Sequence, residues 1–165
     1  MENNEEQEVG SCVRLVAEAV EPNIRCRRTM EDAHRSVREF GGDQSQDFFA
    51  VYDGHGGRGV VDYIAENFEP VFLEELGKNS DSVEEALREA FLKTDKLSAE
   101  ANLDLSGATA VCSYTRKESG KYVLYSANIG DTRAVICENG GAVRLTKVWF
   151  TKKKSFSLFH QCIGS

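Results

Sequence analysis

The sequence predicts an α+β fold with a mainly antiparallel sheet. Three observations lead there. Apolar strand-like runs come first, helical periodicity fills the middle, and strand patterns return after it, with no regular β-α-β alternation. Two late pairs of strand-like runs are separated by short polar segments containing glycine, the mark of antiparallel hairpins. The 165 residues suit one domain able to bury a real core.

Val13 to Val20 reads as a first strand, apolar with Arg14 and Glu18 interspersed. Arg25 to Arg28 is too charged for a core and reads as loop or strand edge. Phe48 to Asp53 is a short interior strand. From Gly57 the period changes: Val60, Val61, Ile64, Ala65 and Phe68 recur at helical spacing. Pro70 is expected to interrupt this helix, with a further short helix from Pro70 to Leu76 and Gly77 as its stop. Ser82, with Glu85 three residues later, fits a capping box. Val83, Ala86, Leu87, Ala90, Phe91 and Leu97 then mark one face of a long amphipathic helix to about Ala101. Ala108 to Thr115 and Tyr122 to Ile129 form one predicted hairpin across the loop Arg116 to Lys121. Ala134 to Glu138 and Ala142 to Thr146 form another around Asn139-Gly140-Gly141.

The net charge of −7 argues against nucleic acid or an anionic membrane as partner. No run approaches the ~18 apolar residues of a membrane span. Residues 1–10 are acidic and polar, without the basic start and apolar centre of a signal peptide. They read as a short disordered tail, which predicts a cytoplasmic or nuclear protein. Five cysteines, odd in number and never in a C-x-x-C pair, favour reduced structural thiols over disulfides or zinc. All 27 acidic residues lie in 1–146, whereas 147–165 holds four lysines and no acid. This last segment is unlike the rest in character, and Lys152-Lys153-Lys154 reads as part of a solvated tail.

Chemistry concentrates in two clusters. Asp53-Gly54-His55-Gly56-Gly57 leaves the end of an apolar strand. An aspartate there is able to take a metal, glycines admit close approach of backbone and ligand, and a histidine supplies a proton near neutral pH. Upstream lies Arg27-Arg28-Thr29-Met30-Glu31-Asp32. Glu31, Asp32 and Asp53 are carboxylates and Gly54 offers a carbonyl, the oxygen donors that hard divalent cations prefer. Arg27 or Arg28 is suited to a phosphate; spacing alone does not choose between them. Asp131 either caps a turn or binds another cation. His-Gly-Gly also occurs in the oxyanion loop of esterases, but the Gly-x-Ser-x-Gly elbow which that chemistry requires is missing.

With both clusters in hand, residues 11–146 resemble the N-terminal half of a metal-dependent protein phosphatase of type 2C. Arg27 and Met30-Glu31-Asp32-Ala33-His34 resemble the family's arginine and Met-Glu-Asp element. Phe49 to Gly57 resembles its Asp-Gly-His-Gly signature. Ser106-Gly107-Ala108-Thr109-Ala110 and Ala127 to Ala134 resemble its next two motifs. The resemblance implies part of a central antiparallel β-sandwich flanked by helices. It implies hydrolysis of phosphoserine and phosphothreonine in proteins, kinase-cascade components among them. It also implies two Mg²⁺ or Mn²⁺ ions sharing Asp53, with Glu31 and the Gly54 carbonyl on one. Arg27 would hold the phosphate, His55 would protonate the leaving alkoxide, Asp32 would orient metal-bound water and Asp131 would help hold a third, weaker cation.

Two departures stand out. Arg25 replaces a glycine common in relatives, and the pattern breaks at Lys147, so that the later metal-binding aspartates have no counterpart. The expectation is a truncated product of weak or no activity, with a catalytically dead phosphoprotein-binding chain or a non-functional fragment as the alternatives. The break has the character of intron read-through; a spliced message running directly into the tail codons would exclude it.

Overall fold

The computed structural model describes residues 13–103 and 106–147, together with the backbone of residues 156–163. Its elements in chain order are β1 (Asp32–Arg38), β2 (Gln46–His55), α1 (Gly59–Lys78), α2 (Val83–Glu100), β3 (Gly107–Glu118), β4 (Lys121–Ile129), β5 (Val135–Glu138), β6 (Gly141–Arg144) and β7 (Phe156–Ile163). Five strands form one antiparallel sheet in the order β1-β2-β3-β4-β7, and β5-β6 form a separate two-stranded ladder. The α+β expectation holds. The expected tail over 1–10 and the lysines at 152–154 lie outside the described residues.

Both helices pack on one face of the five-stranded sheet, α1 against β1, β2 and β3, α2 against α1 and β4. The alternation along β2 decides which residues meet them. Phe48, Ala50, Tyr52 and Gly54 are buried toward the helices, whereas Val51, Asp53 and His55 are exposed. Phe40, Phe48, Phe68, Phe72 and Tyr114 build an aromatic centre with ring centroids 5.3 to 6.3 Å apart.

Three sequence expectations are corrected. Val13 to Val20 is not a strand: no strand among the described residues offers it a ladder, and the Val13 N–H donates to the buried Asp47 carboxylate at 3.1 Å. The strand lies later, at Asp32–Arg38, where charged residues obscure it. An edge strand needs a partner more than an apolar pattern, and its charges blunt the open edge; Arg35, for example, pairs with Glu69 of α1 at 2.6 Å. Pro70 does not end a helix, and Gly77 does not stop one, because α1 runs unbroken to Lys78. An internal proline costs about 3 kcal/mol. Burying Phe68 and Phe72 on either side of it returns about 1.5–3 kcal/mol each. The Ser82 cap holds, its hydroxyl accepting the Glu85 N–H at 3.2 Å. In the 147–165 segment, where the sequence suggested no element, β7 adds a fifth strand along β4.

Candidate active site

The strand ladder sets the geometry. Asp32, the first residue of β1, is the register partner of Asp53 on β2, and Asp53 is in turn the partner of Thr109 on β3. Two residues further along β2, His55 pairs with Gly107. Gly54 sits between them because the chain crosses closely there. Its N–H donates to the Glu31 carbonyl at 3.1 Å, and a Cβ at 54 would lie 2.3 Å from that oxygen and 2.9 Å from Val61 Cβ. The same contact ties the Glu31-Asp32 segment to the end of β2. The Glu31 carboxylate accepts the Thr29 hydroxyl at 3.1 Å.

A cavity of about 390 Å³ opens at this point, its lining including Arg27, Glu31, Asp32, Asp53 and Gly54 as well as Cys26 and Arg28. Five of the seven site residues named from sequence therefore meet in one cleft. His55 is exposed beside the cleft and does not line it. Asp131, in the turn after β4, is also outside the lining, yet near enough for its charge to act on Asp53. A larger cavity of about 740 Å³ lies between residues 13–21 and the outer face of β1 to β3. It shares Glu21, Met30 and Asp32 with the cleft but does not include Asp53.

Asp53 is electrostatically frustrated. Although the residue is open to solvent overall, its carboxyl end is partly dehydrated by the strands around it, and this raises its pKa most. The negative charges of Asp32 and Asp131 raise it further, while His55 and Arg27 draw it down. A cation placed there would relieve both like-charge contacts.

The donors fit a hard cation in kind: carboxylate oxygens, and a carbonyl at Gly54. The Thr109 hydroxyl, in register with Asp53, is buried and has no hydrogen-bond partner among the described residues. Among the described residues, no three His, Cys, Asp or Glu side chains converge into a ready-made metal cluster. The set therefore fits a single hard ion held at Asp53 with water completing its shell, and not a closed protein cage.

Several residues that shape this site escaped the sequence reading. Arg58 donates to the carbonyl of Met30, to that of Asp32 at 3.3 Å, and to the Asp62 carboxylate at 2.5 Å, which pins the Glu31-Asp32 segment to the start of α1. Its only sequence signal is the i,i+4 spacing to Asp62. The buried Asn128 amide donates to the carbonyls of Gly130 at 3.3 Å and Thr132 at 3.4 Å, on either side of Asp131, and to that of Lys147 at 3.3 Å. Asn128 falls within the Ala127 to Ala134 motif, but its residue type alone does not announce these bonds.

The family model "Protein phosphatase 2C" matches residues 19–150. The chain is 40% identical over 128 residues to protein phosphatase 2C homolog 1 of Schizosaccharomyces pombe, covering 75% of this chain and 37% of that protein. It is 37% identical over 122 residues to probable protein phosphatase 2C 14 of Arabidopsis thaliana, covering 73% of this chain and 26% of the relative. A solved structure described as a C. elegans sex determining protein superposes with a TM-score of 0.62 at 26% identity, covering 74% of this chain and 32% of that one. The chain thus spans well under half the length of each of these three proteins. The matched span contains the paired Asp32 and Asp53, the Gly54 crossing and Arg27, and the chain belongs to the protein phosphatase 2C family.

Proposed function

We propose that this chain carries the phosphate-binding and first metal-binding part of a protein serine/threonine phosphatase, acting on phosphoserine and phosphothreonine in proteins. The observation that carries the reading is the row of like charges at Asp53. Asp32 and Asp131 press on a partly dehydrated carboxylate, and Arg27 shares the same cleft. Such an arrangement has a use when a divalent cation and a phosphate dianion enter together.

Asp53, Glu31 and the Gly54 carbonyl are the residues proposed to hold Mg²⁺ or Mn²⁺, with Asp32 orienting the ion's water and Asp131 adding negative charge beside it. A bound divalent ion supplies Lewis-acid activation of water and neutralises phosphate charge. Arg27 binds the phosphate oxygens with its guanidinium fork, which suits a planar two-point contact. The His55 imidazole gives a proton to the departing serine or threonine alkoxide as general acid. Arg58 holds the Glu31-Asp32 segment in place while this happens.

A second reading, phosphoprotein binding without turnover, is favoured by one observation: the described residues contain no three-ligand acidic cluster. Turnover by these 165 residues alone is accordingly expected to be low. Phosphate release from a phosphothreonine peptide in millimolar Mn²⁺, run beside Asp53→Asn, separates the two. Release that disappears in the variant supports the phosphatase. Peptide binding without release supports the second reading, and neither binding nor release sinks both.

A further inference from the structure

Gly107 is a glycine without a backbone reason. It opens β3, and its φ is not among the positive values found at Gly56, Gly57 and Gly130. Glycine weakens a strand, and in a strand it commonly marks a close approach. Here the nearest approach is by the His55 side chain. A Cβ at 107 would stand 2.6 Å from His55 Nε2, 3.0 Å from Cε1 and 3.5 Å from Cδ2. The imidazole therefore lies across the bare backbone of its own register partner.

The floor beneath the ring is fastened. The adjacent Ser106 hydroxyl accepts the Val60 N–H at 3.1 Å, in the first turn of α1, and a Cβ at Gly59 would come within 3.3 Å of that hydroxyl. Gly56 and Gly57, with φ of 73° and 123°, turn the chain between His55 and α1. The head of β3, the glycine turn and the start of α1 thus form one unit around the ring.

We propose that Ser106-Gly107 is a positioning element for His55: Gly107 leaves the space in which the imidazole rests, and Ser106 locks that space to α1. This rests on the role given to His55 in the proposed function. Gly107→Ala tests it in the full chain. The obstructed group is the end of a mobile side chain, so the variant is expected to keep its fold and melting temperature while the ring moves.

Two readouts are taken. In metal-free protein, ¹H–¹³C spectra of the three histidine rings, with His55 assigned through His55→Gln, are expected to show the His55 signals displaced and those of His34 and His160 unmoved. In Mn²⁺, kcat toward a phosphothreonine peptide is expected to fall about a hundredfold, the usual worth of a placed general acid, with KM unchanged. Unmoved His55 signals, or an unchanged kcat, would overturn the proposal. If the wild type releases no phosphate, the proposed function fails, and the ring spectra alone still decide where Gly107 places His55. If Gly107→Ala unfolds, the His55→Ala/Gly107→Ala double variant must recover the melting temperature of His55→Ala; a double variant that stays unfolded contradicts the ring being the only obstacle.

Discussion

Replacing Asp53 with asparagine is expected to stabilise the metal-free chain and to abolish its response to Mn²⁺. Asp32 and Asp53 are direct register partners, which sets their Cβ atoms about 5 Å apart and their carboxyl carbons about 6 Å apart. At that distance two unit charges repel by about 0.7 kcal/mol in water and about 3 kcal/mol at an effective dielectric of 20. Both residues are exposed, so solvent screening favours the lower figure. With a further contribution from Asp131, a gain of about 1 kcal/mol follows, or about 3 °C in melting temperature for a chain of this size. The sign fixes the pH window. A carboxyl raised above its ordinary value of 3.8 binds its proton more readily in the folded chain than in the unfolded one. Wild-type stability is therefore favoured below that value and is lost as pH rises through it to the raised folded value. The advantage of Asp53→Asn should be full at pH 7 and vanish in acid. Manganese at about a hundred times its dissociation constant would add about 2.7 kcal/mol to the wild type and much less to the variant. Thermal melts by circular dichroism, in EDTA and in Mn²⁺, give both numbers. A variant less stable than wild type in EDTA, or an equal Mn²⁺ shift in both proteins, would refute the electrostatic account of the cleft.

Other perturbations have simpler readouts. Gly54→Ala places a Cβ 2.3 Å from the Glu31 carbonyl and 2.9 Å from Val61; both obstacles are held in the fold, so the variant should melt well below wild type or fail to accumulate as soluble protein. Phe72→Ala empties a fully buried site ringed by Phe40, Phe48, Phe68 and Tyr114, and should cost about 3–5 kcal/mol in urea denaturation. Ser82→Ala removes the hydroxyl that accepts the Glu85 N–H and should cost about 1 kcal/mol in the same assay, whereas Ser82→Asp should retain most of the stability. Arg27→Ala should weaken binding of a phosphothreonine peptide in calorimetry while lowering the melting temperature in EDTA only slightly, since Arg27 lies exposed in the cleft and its attraction to Asp53 is screened by solvent.

Much of this architecture was legible because local rules and tertiary context agree. The amphipathic face of α2, its Ser82 cap and the Asn139-Gly140 turn are each decided within a few residues, and each appears where the pattern places it. The failures share a cause. Val13 to Val20 is apolar enough to be a strand, but strands are made by partners, and the Val13 N–H finds a carboxylate. Asp32–Arg38 carries no apolar strand pattern that the sequence reading could pick up, because an edge strand tolerates charge on its open side. Pro70 breaks a helix in isolation and does not here, because two phenylalanines beside it are anchored in the core. In the site, residue type singled out three carboxylates, Glu31, Asp32 and Asp53, that line one cleft. The residues that hold them in place were invisible, since Arg58 and Asn128 act through backbone carbonyls distant in sequence or in a turn, and nothing in a side chain's identity announces such a contact.

The register of the sheet explains why these donors meet at all. Asp32, Asp53 and Thr109 occupy one transverse row across β1, β2 and β3. The row continues past the end of β4, where Gly130, at φ of 84°, folds over Thr109 so closely that a Cβ would lie 2.5 Å from its methyl group. That fold brings Asp131 to the end of the row. Side chains alternate between faces with a period of two, so a slip of one residue between β1 and β2 would leave Asp53 opposite Ala33 or Glu31 and turn the carboxylates to opposite faces. The aromatic core forbids the slip: moving β2 by one residue would expose Phe48 and Tyr52 and drive Asp53 among the helices. The burial of Phe48, Tyr52, Phe68 and Phe72 on one side of the sheet is therefore what sets the spacing of charges on the other. A core substitution that loosens this packing without unfolding the chain should weaken Mn²⁺ binding before it changes any residue of the cleft.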